Sequence, residues 1–375
     1  MCGFVGFTGT LENKDKVVAN MLNKIIHRGP DSHNSYLDND VALGFARLSI
    51  IDLSNGSQPM ENEDGSLVLV FNGEIYNYQD LREKLIQAGH VFKTSSDSEV
   101  LLHGYEEYGV DLLNMLRGMF AFTIWDKKKK KLFGVRDFFG IKPYYYAKMG
   151  KTLIFGSEIK SFTPHPDFKM ELNEEKLPDY LTYGCVPGYD TMFKNVFILP
   201  PAHYYEYENG NMTIKRYYQP EFKIDHSKSM DQFVDEISAT FKESVQTHKI
   251  SDVEVGCFLS SGVDSSYVVC ELSKLQKVKS YTIGFADQKY SEADDAKVLA
   301  DEIGVENYKK LISADDYFAS VGDVQYHLDE PLGNPSANNL YYVSQRAAED
   351  LKVVLSGEGA DEMFGGYNVY KEPLS

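Results

Sequence analysis

The first half of the chain is built from short apolar runs closed by Gly, Asn or charged clusters, the pattern of β-strands separated by turns. Residues 67–71, 120–125, 132–135 and 153–155 are the clearest strands. The lysine run 127–131, between two of them, reads as the solvated tip of a hairpin. Two helices fit between the strands. One covers Tyr78–Ala88 and stops at Gly89, a residue suited to the left-handed C′ position. The other opens on Ser96-Asp97-Ser98-Glu99, a capping box, and places Val100, Leu101, Tyr105 and Tyr108 on one apolar face.

After a polar, irregular stretch at 211–229 the pattern changes. A helix at 230–247 leads to a strand at 253–259, then a loop and a helix ending near Leu275. A strand at 279–283, a helix at 291–303 and a strand at 351–355 continue the alternation. Strands alternating with helices predict a parallel sheet covered on both faces. At 375 residues the chain exceeds what one core usually holds. We therefore expect a strand-rich α+β domain at 2–210, a linker at 211–229 and an α/β domain at 230–375. The last motif is a Gly-rich loop just after a strand, where a covering helix would normally follow. The second domain thus reads as incomplete.

A formal charge of −18, with no strong basic patch, argues against nucleic acid as a partner. No apolar run is long enough to span a bilayer and no leader-like segment opens the chain, so a cytoplasmic protein is expected. The four cysteines, Cys2, Cys185, Cys257 and Cys270, show no CxxC spacing, and nothing suggests a zinc site or disulfide framework. Cys257 and Cys270 lie in apolar stretches and read as core.

Cys2 is different. Trimming of Met1 would leave it with a free α-amine, and an α-amine with an ordinary pKa of about 7.7–8.0 can serve as the base for its own thiol. In the same half, His27-Arg-Gly-Pro-Asp31, Arg47-Leu-Ser-Ile-Ile51 and Phe71-Asn-Gly-Glu74 stand out. Asn72-Gly73 after a strand is, in isolation, a hairpin turn. Beside a nucleophile it can instead be an oxyanion hole, made by the Asn72 side-chain amide and the Gly73 N–H. Arg47 suits an α-carboxylate, and Glu74 and Asp97 suit an α-ammonium. His27 reads as a residue that orders its loop.

In the second half, Ser260, Ser261, Gly262, Val263, Asp264, Ser265 and Ser266 sit between a strand and a helix. Backbone amides, hydroxyls and a helix N-terminus converging there make an anion site. The pattern is not a Walker A loop. It resembles the pyrophosphate-binding loop of ATP pyrophosphatases, with Ser261 in place of the usual first Gly. Ser356-Gly-Glu-Gly-Ala-Asp-Glu362 follows another short strand. Carboxylates beside a phosphate site make sense with Mg²⁺ between them, which makes Asp264 and Asp361 the metal candidates.

In this order, these motifs resemble the glutamine-hydrolysing asparagine synthetases over nearly the whole chain. The resemblance implies an N-terminal-nucleophile hydrolase αββα sandwich, a class II glutamine amidotransferase, followed by an ATP-pyrophosphatase-like parallel-sheet domain. It implies Cys2 as nucleophile, Asn72 and Gly73 as oxyanion donors, and Glu358 close to the β-aspartyl-AMP intermediate. Glutamine would be bound by Arg47, Leu48, Ser49, Ile50, Ile51, Asn72, Gly73, Glu74 and Asp97. ATP would be bound by Leu259, Ser260 through Ser266, Ile283, Ser356 and Gly357, with Mg²⁺ at Asp264 and Asp361. Glutamine, aspartate and ATP are the implied substrates, with ammonia passing between the sites inside the protein and a homodimer as the candidate assembly. Two other readings stay open: an amide-forming synthetase with another acceptor, such as a β-lactam-forming one, and a chain that works only as a glutaminase or is inactive. The second arises because members of that family are longer than this chain.

Overall fold

Alternate residues along β5 (Leu67–Ile75) enter two different cores, and that alternation explains the layering of the first half of the chain. Leu67, Leu69, Phe71 and Ile75 pack with Leu81 and Leu85 of α2 (Tyr78–Ala88) and with Val100, Leu101 and Tyr105 of α3 (Glu99–Tyr108). Val68 and Val70 point the other way, onto Phe4, Val41, Leu43 and Phe45 of a second sheet. That sheet turns its far face, Val5, Phe7, Ala42 and Ala46, to Val18, Met21 and Leu22 of α1 (Lys14–Asn23). Three cores between four layers give helices, sheet, sheet, helices.

The structure is a computed structural model that describes residues 1–370 except 288 and 290. The chain forms two compact units. The first comprises Met1–Phe222 with Leu328–Gly333, and the second comprises Lys223–His327 and the residues from Asn334 onward. In the first unit, one sheet runs β10 (Val196–Ile198), β8 (Tyr145–Met149), β9 (Thr152–Gly156), β1 (Gly3–Thr8), β3 (Val41–Arg47), β2 (Ser32–Leu37). The other runs β12 (Asn211–Arg216), β11 (His203–Glu208), β7 (Lys131–Arg136), β6 (Gly118–Asp126), β5, β4 (Met60–Glu61). The pairings are antiparallel. β1 and β3 are buried on both faces, so they lack the apolar–polar alternation that marks a half-buried strand.

Three expectations change. Residues 211–216 are not linker but β12, an edge strand paired with β11 across a turn at Asn209-Gly210; it reads as polar because most of it faces solvent. Helix α3 starts at Glu99 without the capping box. The Glu99 carboxylate reaches further back, accepting the Lys93 and Thr94 N–H groups at 2.7 Å each and the Thr94 hydroxyl at 2.6 Å, while Ser96 Oγ pairs with Ser98 Oγ. Asn72 and Gly73 lie inside β5, opposite Ala121 and Phe120, so they make no turn. The lysine run does form the β6–β7 hairpin tip, where Lys127, Lys128 and Lys130 pair with Glu61, Asp64 and Asp40.

The second unit begins with α5 (Met230–His248), opened by a capping box between Ser229 and Gln232. Its sheet is parallel, in the order β15 (Glu306–Ile312), β14 (Lys279–Phe285), β13 (Val255–Phe258), β16 (Val353–Leu355). One face packs Val255, Cys257 and Leu259 against Val268, Val269 and Leu272 of α6 (Val263–Ser273) and Ala296 and Ala300 of α7 (Ala293–Glu302). The other packs Tyr281 against Val343 and Ala347 of α10 (Ser336–Ala348). Strand β15 escaped the sequence pattern because Lys309, Lys310 and Glu306 make it look like a surface segment. No helix among the described residues is long and apolar enough to cross a membrane. All four cysteines are free, with Cys257 buried and Cys270 half-buried.

Candidate active sites

Strand β1 starts one residue after Cys2 and is hydrogen-bonded on both sides, to β3 and β9. Cys2 is therefore fixed by the middle of a sheet. Its Sγ lies 3.4 Å from both the Leu48 amide, which donates to it, and the Leu48 carbonyl. Burial pushes the thiol up, against the pull of that amide, so at neutral pH it holds its proton and needs a base. The α-amine at the chain start, carried by Met1 in this chain, is lowered to about 6, chiefly by burial and then by the charge of Arg28. An amine in this environment is mostly neutral at pH 7.

Asn72 is 1% exposed, and its Nδ2 has no hydrogen-bond partner. A buried, unsatisfied amide costs free energy, and here it is a donor held ready in a strand. Gly73 beside it admits no side chain, because a Cβ would come 2.2 Å from the Met119 carbonyl oxygen. Two residues on, and so on the same strand face as Asn72, Glu74 is raised well above the carboxylate range by burial and by Asp97, against the opposing charge of Lys142. Burial raises Asp97 to about 6 although it accepts the Ile75 N–H at 2.9 Å. A carboxyl whose proton affinity is raised by a neighbouring carboxyl marks a place where a ligand cation relieves repulsion.

Arg47 sits at the end of β3, but its guanidinium is turned onto its own loop, donating to the carbonyls of Ile51, Asp52 and Leu53. It thereby shapes the half-buried 48–53 segment. Ser49 N donates to Asp31 at 2.8 Å, tying that segment to the His27-Arg-Gly-Pro-Asp31 motif. His27 Nε2 lies 3.0 Å from Glu158, in keeping with a loop-ordering role. Gly29 is required where it stands, since a Cβ would lie 2.1 Å from the Ala46 carbonyl carbon.

Sequence reading passed over three residues. Arg28 Nε donates to the Cys2 carbonyl and its Nη1 to Glu158, both at 2.9 Å. Glu158 also takes Lys160, which reaches Asp329 from the 328–333 segment of the same unit. Lys142 is buried, and Asp137 orders its turn by accepting the N–H groups of Phe139, Ile141 and Lys142. The His-Arg-Gly-Pro-Asp motif was a signal for Arg28. Glu158 and Lys142 had none, because only folding brings them to Cys2.

In the second unit the chain runs from β13 outward to β14 and β15, then returns to the other side of β13 as β16. The crevice at the carboxyl ends of such strands is where parallel α/β sheets bind ligands. Both predicted loops lie there, residues 259–262 after β13 and 356–359 after β16. Ser260 Oγ accepts the Gly262 N–H at 3.1 Å and shares a 2.8 Å bond with Ser265 Oγ, which curls the first loop over the start of α6. Ser266 is turned back onto the Gly262 carbonyl at 2.7 Å, and Ser261 is bonded to Glu292 at 2.5 Å. The second loop presses on the first turn of α6: a Cβ on Gly357 would sit 2.8 Å from Ser265 N and 2.9 Å from Asp264 Cβ. Asp264 is half-exposed in the first turn of α6, and Asp361 lies in α11 (Ala360–Phe364), the helix after the second loop. Leu259 extends the β13 ladder by donating to the Tyr281 carbonyl, and half-buried Ile283 lies in β14 next to it.

A family profile described as a glutamine amidotransferase domain matches residues 1–218, and one described as asparagine synthase matches 236–375. The chain is 42% identical to asparagine synthetase [glutamine-hydrolyzing] 1 of Bacillus subtilis, over 100% of this chain and 60% of that protein. It is 37% identical to a putative asparagine synthetase of Mycobacterium tuberculosis, over 100% of this chain and 62% of that protein. It is 34% identical to putative asparagine synthetase 2 of Methanocaldococcus jannaschii, over 98% of this chain and 76% of that protein. The chain thus spans about three-fifths of the length of the first two relatives. With both domains in this order and identity running from end to end, the chain belongs to the family of glutamine-hydrolysing asparagine synthetases.

Proposed function

We propose that the first unit hydrolyses glutamine and that the second activates aspartate with ATP for amidation by the ammonia released. The observation that carries the first half is the buried, unpartnered Nδ2 of Asn72, on the strand face it shares with Glu74. With Met1 removed, the α-amine belongs to Cys2 and takes the thiol proton as sulfur attacks the side-chain amide carbon of glutamine. Asn72 and Gly73 donate to the tetrahedral oxyanion. Collapse to a thioester expels ammonia, and water then releases glutamate. Glu74 and Asp97 hold the α-ammonium, and Arg47, with the loop it shapes through Leu48, Ser49, Ile50 and Ile51, holds the α-carboxylate.

In the second unit, the two loops at the strand ends grip ATP. Ser260 to Ser266 take the pyrophosphate portion, Leu259 and Ile283 flank the nucleoside, and Ser356 and Gly357 close against it. Asp264 and Asp361 would hold Mg²⁺, which would offset phosphate charge. The aspartate side chain attacks the α-phosphorus, pyrophosphate leaves, and ammonia displaces AMP from the β-aspartyl carbonyl close to Glu358. The ammonia must reach that intermediate without passing through bulk water, where near pH 7 it would be mostly protonated. A cytoplasmic location suits these substrates.

A second reading, in which this chain works as a glutaminase alone, rests on the first unit by itself, whose residues 1–218 match the glutamine amidotransferase profile. One purified sample separates the two. Glutamate release lost in Cys2→Ala, together with asparagine and pyrophosphate formed from aspartate, Mg·ATP and glutamine, supports both halves. Glutamate without pyrophosphate supports the glutaminase alone. No glutamate from a chain that mass spectrometry shows to begin at Cys2 rejects the amidotransferase reading.

A further inference from the structure

A second constellation of chemistry-bearing residues lies in the first unit and shares no residue with the proposed glutamine site. Glu63 follows β4, His90 follows Gly89 at the end of α2, and His103 and Glu106 lie one turn apart on α3. One ligand atom from each of these four lies within 4.8 Å of the others. His103 is buried, and its Nδ1 has no hydrogen-bond partner although Glu63 Oε2 stands 3.2 Å away. His90 Nδ1 is 3.5 Å from Glu63 Oε1. Both imidazoles therefore turn Nδ1 inward, toward one carboxylate.

Their outer nitrogens have partners of one kind. His103 Nε2 lies 3.3 Å from Glu99 and His90 Nε2 lies 3.4 Å from Glu107. Glu99 is fixed in turn by two backbone N–H groups and the Thr94 hydroxyl. A histidine that donates its far N–H to a carboxylate has its tautomer and ring orientation set for metal binding through the near nitrogen. The inner carboxylates are also oriented: Val91 N donates to Glu63 at 3.1 Å and Asn62 Nδ2 to Glu106 at 3.1 Å. With neutral imidazoles, Glu63, Glu99, Glu106 and Glu107 concentrate negative charge that a divalent cation would balance.

We propose that Glu63, His90, His103 and Glu106 form a site for a divalent transition-metal ion, with zinc the best fit to two imidazole nitrogens and two carboxylates. Zinc draws nitrogen and oxygen ligands in to about 2.0–2.2 Å, so side-chain adjustment closes the set without moving α3. The ion would staple three segments that are separate in sequence: the β4–β5 turn, the end of α2, and α3.

The test uses the full chain, stripped with chelator and dialysed against zinc, with metal content and zinc affinity measured. Cobalt substitution then reads the ligand type by absorption. The proposal expects one zinc per chain, a cobalt d–d spectrum without a thiolate charge-transfer band, and a higher Tm with zinc. His90→Ala and Glu106→Gln, at half-buried and exposed positions, are expected to weaken zinc binding at least tenfold while circular dichroism stays unchanged. Glu107→Gln, which acts only through His90, is expected to weaken it about tenfold or more. Less than one zinc retained, a thiolate band, or unchanged affinity in His90→Ala would each overturn the proposal and leave an imidazolium–carboxylate network only.

Discussion

Arg28 holds the backbone of Cys2, the proposed nucleophile: its Nε donates to the Cys2 carbonyl at 2.9 Å. The same guanidinium is clamped by Glu158, so the position of Cys2 depends on a buried charge network in which His27, Lys160 and Asp329 also take part. Arg28→Met frees the Cys2 carbonyl while His27 and Lys160 remain on Glu158. We expect kcat for glutamate release to fall at least tenfold with KM for glutamine moved less. A proportional change in KM alone would mean that Arg28 binds substrate and does not position Cys2.

Burial works against ionised Glu158, but the His27 hydrogen bond and the charges of Arg28 and Lys160 outweigh it and hold the carboxyl at about 2. A depressed carboxyl stabilises the folded state above its ordinary value of 4.5 and loses that contribution as pH falls toward about 2. Acid unfolding of the wild type should therefore steepen across that window, and Glu158→Gln should flatten it. At pH 7 the variant leaves Arg28 and Lys160 short of a partner and is expected to lose about 3–5 kcal/mol in denaturant unfolding.

Asn72 tests the oxyanion assignment with little interference from folding. Its Nδ2 bonds to nothing in the resting protein, so Asn72→Ala gives up no hydrogen bond at that atom. A loss of about 10²–10³ in kcat is expected, with Tm changed by only a few degrees. A large drop in Tm without a selective loss of kcat would reassign the residue to structure.

Asp97 carries a pH signature. Because burial lifts it to about 6, it takes a proton as pH falls through that value, and its proposed hold on an α-ammonium is lost. KM for glutamine should rise below about pH 6, and Asp97→Asn should raise KM throughout and remove the dependence. The sign for stability is opposite to that of Glu158. A raised carboxyl binds more protons folded than unfolded, so stability falls as pH rises from 3.8 toward about 6. Asp97→Asn is therefore expected to be the more stable protein at pH 7, by thermal melting.

Gly357 is the point where the second loop meets the first turn of α6, and a methyl there would sit 2.8 Å from Ser265 N. Gly357→Ala must push the second loop away from the start of α6. Titration calorimetry with Mg·ATP is expected to show at least tenfold weaker binding, and unchanged affinity would separate this contact from nucleotide recognition.

Local pattern carried much of this protein. The helix Tyr78–Ala88 ends where Gly89 predicts, the parallel α/β alternation appears as read, and both Ser- and Gly-rich loop motifs fall between strand and helix. Such features are set by residues adjacent in sequence, through propensity, capping and period. Strands buried on both faces, such as β1 and β3, carry no alternation to read, and edge strands β12 and β15 look like surface. Chemistry divides in the same way. Cys2 and its motifs announce themselves, but that Glu158 and Lys142 act on the Cys2 end, that Arg47 spends its guanidinium on its own loop, and that two histidines converge on Glu63 are decided by the tertiary fold. Buried charges must find partners wherever the chain brings them, and those partners lie as far apart in sequence as Arg28 and Glu158.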